Sequence, residues 1–384
     1  MSQGSGHAAA ATLRAPSPGY QQRAELKGSD TVTHDLFGRA VAISSGAIVV
    51  GDPGHASNAG RAYAFDETAA GWRQVAELKG SDTVDNDYFG EAVAISGTTI
   101  VVGAPGHADG AGRAYVFTKN STGWDQAAEL QGLASAVNPG ASAAGDEFGL
   151  SVAVSGNTIV VGAPNYASTG RVYVFTWSGT DWHATAKIDG TVAHGGFGVS
   201  VEISGMTMVV GDPNQSQPGR AYLFTKGATG WQQGAQLEDP RVPAPGASVK
   251  GPAPHETFGS SVAISGSTVA VSAPADAVAP GSTYIFTRSA RGWEPSAETK
   301  DLTSFGAQIL EPVAVSGNTV LVGGEASAYV FTKSAKGWDQ SVELRAHGPL
   351  GNDAFGCAVA ASGATLVFGS TSAPVGGRVY VFKQ

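Results

Sequence analysis

The sequence predicts an all-β fold, a seven-bladed β-propeller of four-stranded antiparallel blades, closed by an N-terminal strand that completes the last blade. Three observations support this prediction. One pattern recurs seven times along the 384 residues, each copy contains four short apolar runs, and no 3.6-residue helical periodicity is visible. The full pattern is a Phe-Gly pair, a VAISG-like run, an IVVGAP-like run, a YVF-like run, and finally Gly-Trp with an AEL-like run. Four antiparallel strands per repeat of this length are typical of propellers.

The repeats keep a common register. Phe-Gly pairs begin at Phe37, Phe89, Phe148, Phe197, Phe258 and Phe355, and the aromatic residue of the third run is Tyr63, Tyr115, Tyr173, Tyr222, Tyr284, Tyr329 and Tyr380. The sixth copy is degenerate, because Ile309 and Leu310 stand in its Phe-Gly register. Every copy nevertheless keeps the tyrosine, so we count seven blades.

The four runs of a copy have different predicted places in the blade. The second run, such as Thr158 to Gly162, is continuously apolar and β-branched, which favours a strand buried on both faces. Two residues, such as Gly156-Asn157, separate it from the first run and favour a tight hairpin. In the third run the large Tyr115 and Phe117 alternate with small residues, as stacked blades require.

The fourth run predicts the outer strand of each blade. Its tryptophans are interpreted as packing residues: Trp72, Trp124, Trp182, Trp231, Trp293 and Trp338. An arginine before the tyrosine recurs in five copies and is expected to pair with loop carboxylates: Arg61, Arg113, Arg171, Arg220 and Arg378.

The two ends of the chain predict how the ring closes. The seventh copy ends at Gln384 without a Gly-Trp and AEL-like strand, whereas residues 19–26 match residues 123–130 position by position. We therefore expect residues 19–26 to be the outer strand of the last blade. Residues 1–18 are expected to form a disordered leader, and residues 19–384 a single propeller domain.

Composition excludes several classes of partner. The net charge is −9, from 23 basic and 32 acidic residues, and the basic residues form no stripe, so neither nucleic acid nor an anionic membrane is expected. No stretch approaches the length of a membrane span, and the N-terminus lacks the features of a signal peptide. The only cysteine, Cys357, is expected to be a small buried residue of an inner strand. We expect a monomer.

A second motif follows the buried second run. Gly-Ala-Pro stands at 103–105 and 162–164, with the variants Gly-Asp-Pro at 51–53 and 211–213 and Ser-Ala-Pro at 272–274. Repeated in register with Phe-Gly, this pattern resembles the FG-GAP repeats of integrin α-subunit propellers and their bacterial relatives. The resemblance implies a recognition or adhesion role and a secreted or cell-surface location.

The sequence departs from that family at its calcium loops. Several integrin-type blades carry a DxDxDGxxD loop between the first two strands, where carboxylates surround the ion. The corresponding segments here, such as Ser96 to Thr99, are short and hold no carboxylate. We therefore expect no calcium at that position, and no cofactor.

Strand direction places two kinds of loop on one side of the ring. These are the lead-in loop before the first strand and the loop between the second and third strands, and we call their side face one. Candidate ligand-binding residues on face one are His34, Asp35, His55, Asp85, Asp87, His107, Asp109, Asn165, Tyr166, Asp212 and Asn214. Each could hydrogen-bond or stack on a ligand, and each could equally be a solvated turn residue. A metal shared by His55 and His107 is not expected, because these residues belong to different blades.

The sequence shows no catalytic motif. It contains no GxSxG, HExxH or GxxxxGK[ST] pattern. The resemblance to FG-GAP adhesion propellers, together with the loops of face one, implies a non-enzymatic recognition module, lectin-like or protein-binding, that uses face one. The alternatives are a structural or assembly domain of a larger complex and a polysaccharide-active enzyme.

Overall fold

The computed structural model describes ten segments of the chain. They are residues 19–132, 144–193, 195–213, 218–241, 257–274, 281–300, 311–324, 327–345, 354–371 and 376–384. Within them the chain forms seven four-stranded antiparallel sheets. The first strands of successive sheets contact one another and the last contacts the first, so the sheets are the blades of a closed seven-bladed propeller.

Each blade runs from an inner to an outer strand in chain order. Blade 1 is β2 (Ala40–Ser44), β3 (Ala47–Asp52), β4 (Arg61–Thr68) and β5 (Gly71–Leu78); blade 2 is β6 (Ala92–Ser96), β7 (Thr99–Ala104), β8 (Arg113–Lys119) and β9 (Trp124–Leu130). Blade 3 is β10 (Ser151–Ser155), β11 (Thr158–Ala163), β12 (Arg171–Trp177) and β13 (Trp182–Asp189); blade 4 is β14 (Val201–Ser204), β15 (Thr207–Asp212), β16 (Arg220–Gly227) and β17 (Gly230–Glu238). Blade 5 is β18 (Ser261–Ser265), β19 (Thr268–Ala273), β20 (Ser282–Ser289) and β21 (Gly292–Lys300); blade 6 is β22 (Val313–Ser316), β23 (Thr319–Gly323), β24 (Ala328–Ser334) and β25 (Gly337–Leu344). Blade 7 is β26 (Phe355–Ser362), β27 (Thr365–Ser370) and β28 (Arg378–Lys383), with β1 (Gln21–Leu26) outermost.

Short helical turns connect the second and third strands of three blades. They are α1 (His55–Asn58) in blade 1, α2 (His107–Gly110) in blade 2 and a 3-10 turn (Tyr166–Ser168) in blade 3. In the described residues no helix is long and apolar enough to span a membrane.

The apolar core lies between the blades. Seven clusters of buried side chains fill the spaces between adjacent sheets, and the second strands are buried along nearly their whole length. The phenylalanine of each Phe-Gly pair lies beside its own blade's third strand: the ring centroid of Phe37 is 5.5 Å from that of Tyr63 and 6.3 Å from that of Phe65. The six repeated tryptophans also contact these clusters, which agrees with a packing role.

Two glycines, present together in five blades, allow neighbouring blades to approach at the backbone. Gly38 of the first Phe-Gly pair donates from its backbone N to the carbonyl of Gly51, at 3.0 Å, within blade 1. Gly51 in turn lies against Gly90, the Phe-Gly glycine of blade 2, so closely that a Cβ on Gly51 would overlap the Gly90 carbonyl. The same contact recurs at Gly103 with Gly149, Gly162 with Gly198, Gly211 with Gly259, Gly323 with Gly356, and Gly369 with Gly38.

The N-terminal strand closes the ring as predicted. β1 pairs antiparallel with β28, from Gln21 opposite Lys383 to Leu26 opposite Val379. Leu26 is 4% exposed and joins the cluster between blades 7 and 1. The closing strand therefore contributes both hydrogen bonds and core packing.

Two details differ from the sequence predictions. The repeated arginines pair with carboxylates of the outer strand rather than of loops: Arg61 Nε lies 2.9 Å from Glu77 Oε1, and Arg113 Nε lies 2.8 Å from Glu129 Oε1. The cause is register, since the arginine at the start of the third strand lies beside the end of the fourth. Cys357 is only partly buried, because the first strands line the central channel. Residues 1–18 and the degenerate pair Ile309-Leu310 lie outside the described residues.

Truncation of Leu26 should destabilise the whole ring. We expect Leu26→Ala to lower the free energy of unfolding by about 2 to 4 kcal/mol, the usual cost of such a core cavity. Leu130→Ala, at the matching position of blade 2 and equally 4% exposed, is the control and should cost about the same. Chemical denaturation measures both, and a cost below about 0.5 kcal/mol for Leu26→Ala alone would contradict closure by β1.

Candidate functional site

The two loop types of face one meet in the structure. In blade 1 the backbone N of Gly54, between the second and third strands, donates to the carbonyl of Asp35 in the lead-in loop, at 2.8 Å. In blade 2 the backbone N of Gly106 donates to the carbonyl of Asp87 at 3.1 Å. Blades 1 and 2 therefore each bring their own pair of face-one loops together.

A histidine and three other polar side chains lie at this junction in blade 1. His55 Nδ1 donates to Asp35 Oδ2 at 2.9 Å, and the same oxygen accepts from the backbone N of Val32 at 2.7 Å. The other ring nitrogen of His55 lies 3.6 Å from Asp30 Oδ2, and the Tyr63 hydroxyl donates to Asp30 Oδ1 at 2.7 Å. The side chains of His55 and Asp35 are mostly buried, at 14% and 5% exposure.

Blade 2 repeats this arrangement. His107 Nδ1 donates to Asp87 Oδ2 at 2.8 Å, Asp87 accepts from the backbone N of Val84 at 2.8 Å, and His107 Nε2 lies 3.7 Å from Asp82 Oδ2. The Tyr115 hydroxyl donates to Asp82 at 2.7 Å. The distances differ by no more than about 0.1 Å between blades, so the sequence repeat extends to the side-chain hydrogen bonds.

Left-handed backbone holds each histidine in place. In α1 the residues Ala56 and Ser57 have φ of 51° and 60°, and in α2 Ala108 and Asp109 have φ of 52° and 58°. Consecutive left-handed residues other than glycine are costly and persist only where surrounding contacts maintain them. The turns therefore fix the histidines against the lead-in loops.

Blade 1 adds one carboxylate that blade 2 lacks. Asp52 ends β3, is fully buried, and neither of its carboxylate oxygens has a hydrogen-bond partner among the described residues. Burial, and then the nearby charges of Asp35 and Asp30, raise the pKa of Asp52 to about 9. One ligand atom from each of Asp35, Asp52 and His55 lies within 4.8 Å of the other two. The residue of blade 2 at the Asp52 position is Ala104.

Blade 4 has the buried carboxylate but lacks the aspartate and histidine that form a hydrogen-bonded pair in blades 1 and 2. Asp212 occupies the strand position of Asp52 and is 3% exposed, but Gly195 stands where blade 1 has Asp35. Burial raises the pKa of Asp212 to about 6, partly offset by the Arg220 guanidinium. In the part of the chain that the structure describes, its Oδ1 has no hydrogen-bond partner.

The other predicted site residues are more accessible. His34, Asp85, Asp109 and Asn165 are exposed on face one. Tyr166 is half-buried, with the Arg171 guanidinium 3.8 Å from its ring centroid. Asn214 lies outside the described residues. The predicted set thus divides into buried members, which bond within the loops, and exposed members, which can reach a ligand.

Sequence reasoning missed an apolar group on face one. Val32 and Leu36 in the lead-in loop of blade 1, and Val84 and Tyr88 at the same positions of blade 2, are exposed, with Val32 at 59% and Val84 at 62%. We call these four residues the blade 1–2 patch. A signal was present, because Leu and Tyr directly precede the two Phe-Gly pairs, in loops where polar residues would be ordinary.

A cleft of about 300 Å³ adjoins the patch. Tyr88, Pro105 and Gly106 of blade 2 line one side of it, and Gly145 and Glu147 of the blade 3 lead-in loop line the other. The central channel holds smaller cavities of about 230 and 210 Å³ lined mainly by Val, Ala and Ser of the first strands. The cleft is thus the larger of these recesses and the one that opens beside the exposed loops.

The comparisons with known proteins agree with this fold. The FG-GAP repeat family matches residues 20–65, 72–117, 138–175 and 250–286. Taken with the seven four-stranded blades, these matches identify the chain as an FG-GAP repeat β-propeller. No curated protein sequence matches it.

Solved structures share the architecture at low sequence identity. A chain from the crystal structure of a mitotic checkpoint complex is 11% identical with a TM-score of 0.60, and the alignment covers 99% of each chain. A putative 6-phosphogluconolactonase from Bacteroides uniformis ATCC 8492 is 14% identical with a TM-score of 0.53, over 83% of this chain and 86% of that one. At these identities the likeness concerns the fold alone.

Asp212 should make stability depend on pH. Its pKa is near the ordinary value of 3.8 in the unfolded chain and about 6 in the folded one, so the folded state holds the proton more tightly and loses stability as pH rises from about 4 to about 6. We expect Asp212→Asn to be more stable than wild type by about 3 kcal/mol at neutral pH and about equal to it below pH 4. Denaturation at several pH values measures the difference. The exposed Asp85→Asn is the control, and a pH-independent effect of Asp212→Asn would contradict the prediction.

Proposed function

We propose that the chain is a non-enzymatic recognition module that binds a protein or glycan ligand through the face-one loops of blades 1 and 2. The observation that carries this proposal is the blade 1–2 patch, four apolar side chains exposed at matching positions of adjacent blades. Grouped exposed apolar residues typically mark interaction sites, whereas single ones need no explanation.

The distribution of exposed apolar residues supports a specific surface. Of the five large hydrophobic side chains that are exposed in the described residues, four belong to the patch. The fifth, Met206, lies in the hairpin between β14 and β15 on the opposite face. Random surface exposure would not concentrate such residues in two neighbouring loops.

Backbone conformation supports the same surface. Leu36 and Tyr88 have φ of 65° and 56°, a conformation that large side chains seldom adopt. Hydrogen bonds maintain it: the backbone N of Tyr88 donates to the Asn58 carbonyl at 2.8 Å, and the backbone N of Glu91 donates to the Tyr88 carbonyl at 3.0 Å. Strain that is kept in place by neighbouring contacts is typical of functional sites.

The loops that carry the patch are internally bonded. In blade 1 the Thr31 hydroxyl donates to the Gly28 carbonyl at 3.2 Å, and Ser29 and Gln74 exchange two hydrogen bonds of 3.0 Å. The corresponding bonds recur in blade 2 at Thr83 with Gly80 and at Ser81 with Gln126. A surface already ordered in this way loses little conformational entropy when it binds.

The side-chain types favour a protein over a glycan. Val32, Leu36 and Val84 have no flat ring on which a sugar could stack, and the patch offers such a ring only at Tyr88. His34 and Asp85 lie exposed in the same two loops and would form a polar rim. The resemblance to integrin α-subunit propellers supports an adhesion role and a secreted or cell-surface location. Because the fold also occurs in a putative 6-phosphogluconolactonase, the proposal rests on these loops and not on the fold.

Binding should require the patch. Wild-type protein is screened against a glycan array and a protein microarray, together with the double variant Leu36→Asn/Tyr88→Asn, because asparagine tolerates positive φ and should preserve both loops. We expect a saturable ligand whose affinity falls at least about tenfold in the double variant, since loss of central apolar contacts costs 1 to 2 kcal/mol or more.

Met206→Asn, which changes the exposed apolar residue of the opposite face, is the matched control and should bind like wild type. Equal binding by the double variant, or no ligand on either array, would contradict the proposal. A protein ligand would support the preference argued from the patch, and a glycan ligand would overturn that preference.

A further inference from the structure

We propose that Asp35, Asp52 and His55 form a binding site for one divalent transition-metal ion, with Zn²⁺ as the representative ion. This inference is independent of the proposed function, because it concerns the side chains beneath the loop surface. It depends on three features of blade 1: the spacing of the donor atoms, the absence of a hydrogen-bond partner for Asp52 within the described ranges, and the contrast with blades 2 and 4.

The donor atoms are already close to the spacing that one ion requires. His55 Nδ1 and Asp35 Oδ2 are 2.9 Å apart, within about 0.5 Å of the roughly 3.4 Å that separates the ligands of a tetrahedral Zn²⁺ ion with bonds near 2.1 Å. The Asp52 carboxylate completes a set whose members all lie within 4.8 Å of one another. Because the ligands of a tetrahedral ion lie about 3.4 Å apart, an approach of at most about 1.4 Å between any two of these donor atoms would bring the three groups into coordination.

Asp52 supplies the second, independent observation. A fully buried carboxylate without a hydrogen bond is costly, and native structures compensate such groups with a proton, a cation or a donor. The negative charges of Asp35 and Asp30 would add to the cost of ionising it in the absence of a cation. The nearby cation Arg61 directs its Nε to Glu77 and its Nη1 to the Gly60 carbonyl. A dication would neutralise Asp35 and Asp52 together.

The mixture of donors selects the class of metal. One imidazole nitrogen with two carboxylates suits Zn²⁺ and similar first-row dications, whereas Ca²⁺ and Mg²⁺ prefer an all-oxygen shell. The remaining coordination positions would go to water. Coordination through His55 Nδ1 would leave the ring proton on Nε2, where Asp30 Oδ2, 3.6 Å away, is placed to accept it and to orient the ring.

Two other blades provide natural comparisons within the same chain. Blade 2 keeps the histidine and aspartate at 2.8 Å but has Ala104 in place of Asp52. Blade 4 keeps the buried aspartate, Asp212, but has Gly195 and Gln215 at the positions of Asp35 and His55. Within the described residues, only blade 1 brings three such ligands together.

The ion would join two separate segments of face one. Asp35 belongs to the lead-in loop that carries Val32 and Leu36, whereas Asp52 and His55 belong to the connection after β3. Binding would therefore stabilise the folded protein in proportion to the logarithm of metal concentration.

The test is a Zn²⁺ titration of chelator-treated protein by calorimetry, with thermal unfolding as a second readout. We expect one Zn²⁺ per wild-type chain, affinity reduced at least about 100-fold in both Asp52→Ala and His55→Ala, and weaker binding of Ca²⁺. Ala104→Asp should raise the stoichiometry to two, because it gives blade 2 the residue that blade 1 has. Zn²⁺ should raise the unfolding temperature of wild type and of Ala104→Asp, and should have little effect on that of Asp52→Ala and His55→Ala.

Asp52→Ala should fold, because blade 2 has alanine at this position with the same loop geometry, and metal-free unfolding checks this. Asp212→Ala is the matched control: it removes a buried aspartate from the same strand position and should leave one Zn²⁺ bound. Zn²⁺ binding that is absent from wild type or unchanged in Asp52→Ala would overturn the proposal and indicate that Asp52 carries a proton only. Equal affinity for Ca²⁺ would overturn the assignment to a transition metal.

Discussion

The architecture depends on a backbone contact between neighbouring blades, in which a glycine near the end of the second strand faces the Phe-Gly glycine of the next blade. A Cβ on Gly51 would overlap the carbonyl of Gly90, so the two strands can approach only without side chains there. One blade departs from this rule. Blade 5 has Ser272 instead of glycine, and the following copy has Ile309-Leu310 instead of Phe-Gly. At this one interface both glycines are replaced together. This is expected if the same close approach of the two strands is what requires glycine on both sides.

The same contact places the candidate sites. Asp35 lies two residues before Phe37, and Asp52 directly follows Gly51, so the two motifs that hold the blades together also carry the polar groups of face one. The phenylalanine is anchored against Tyr63, and Gly38 bonds to Gly51, which leaves the adjoining loops little freedom. Variation between blades, such as Ala104 for Asp52, can therefore change the chemistry of a site without moving its backbone.

The sequence predicted the blades, their strands and the closing strand because a repeat in register reports which residues are equivalent. It was less informative about contacts within one blade. Asp35 and Asp87 were grouped with exposed ligand-binding candidates, whereas both are buried and bonded to the neighbouring histidine and to backbone. Likewise, His55 was compared with His107 across blades, and its proximity to Asp52 was not foreseen. Equivalence between repeats follows from periodicity, but the meeting of two loops depends on turn geometry that periodicity does not encode.

The register of β1 against β28 also determines how the ring would respond to tension. Gln21 lies opposite Lys383, so both strand ends that would transmit a pull are at the same end of the ladder. A force drawing them apart would load one residue pair at a time and peel the strand from its blade, instead of shearing all the pairs at once. The propeller would then yield first at its closure, at a low force, while the other six blades stayed intact.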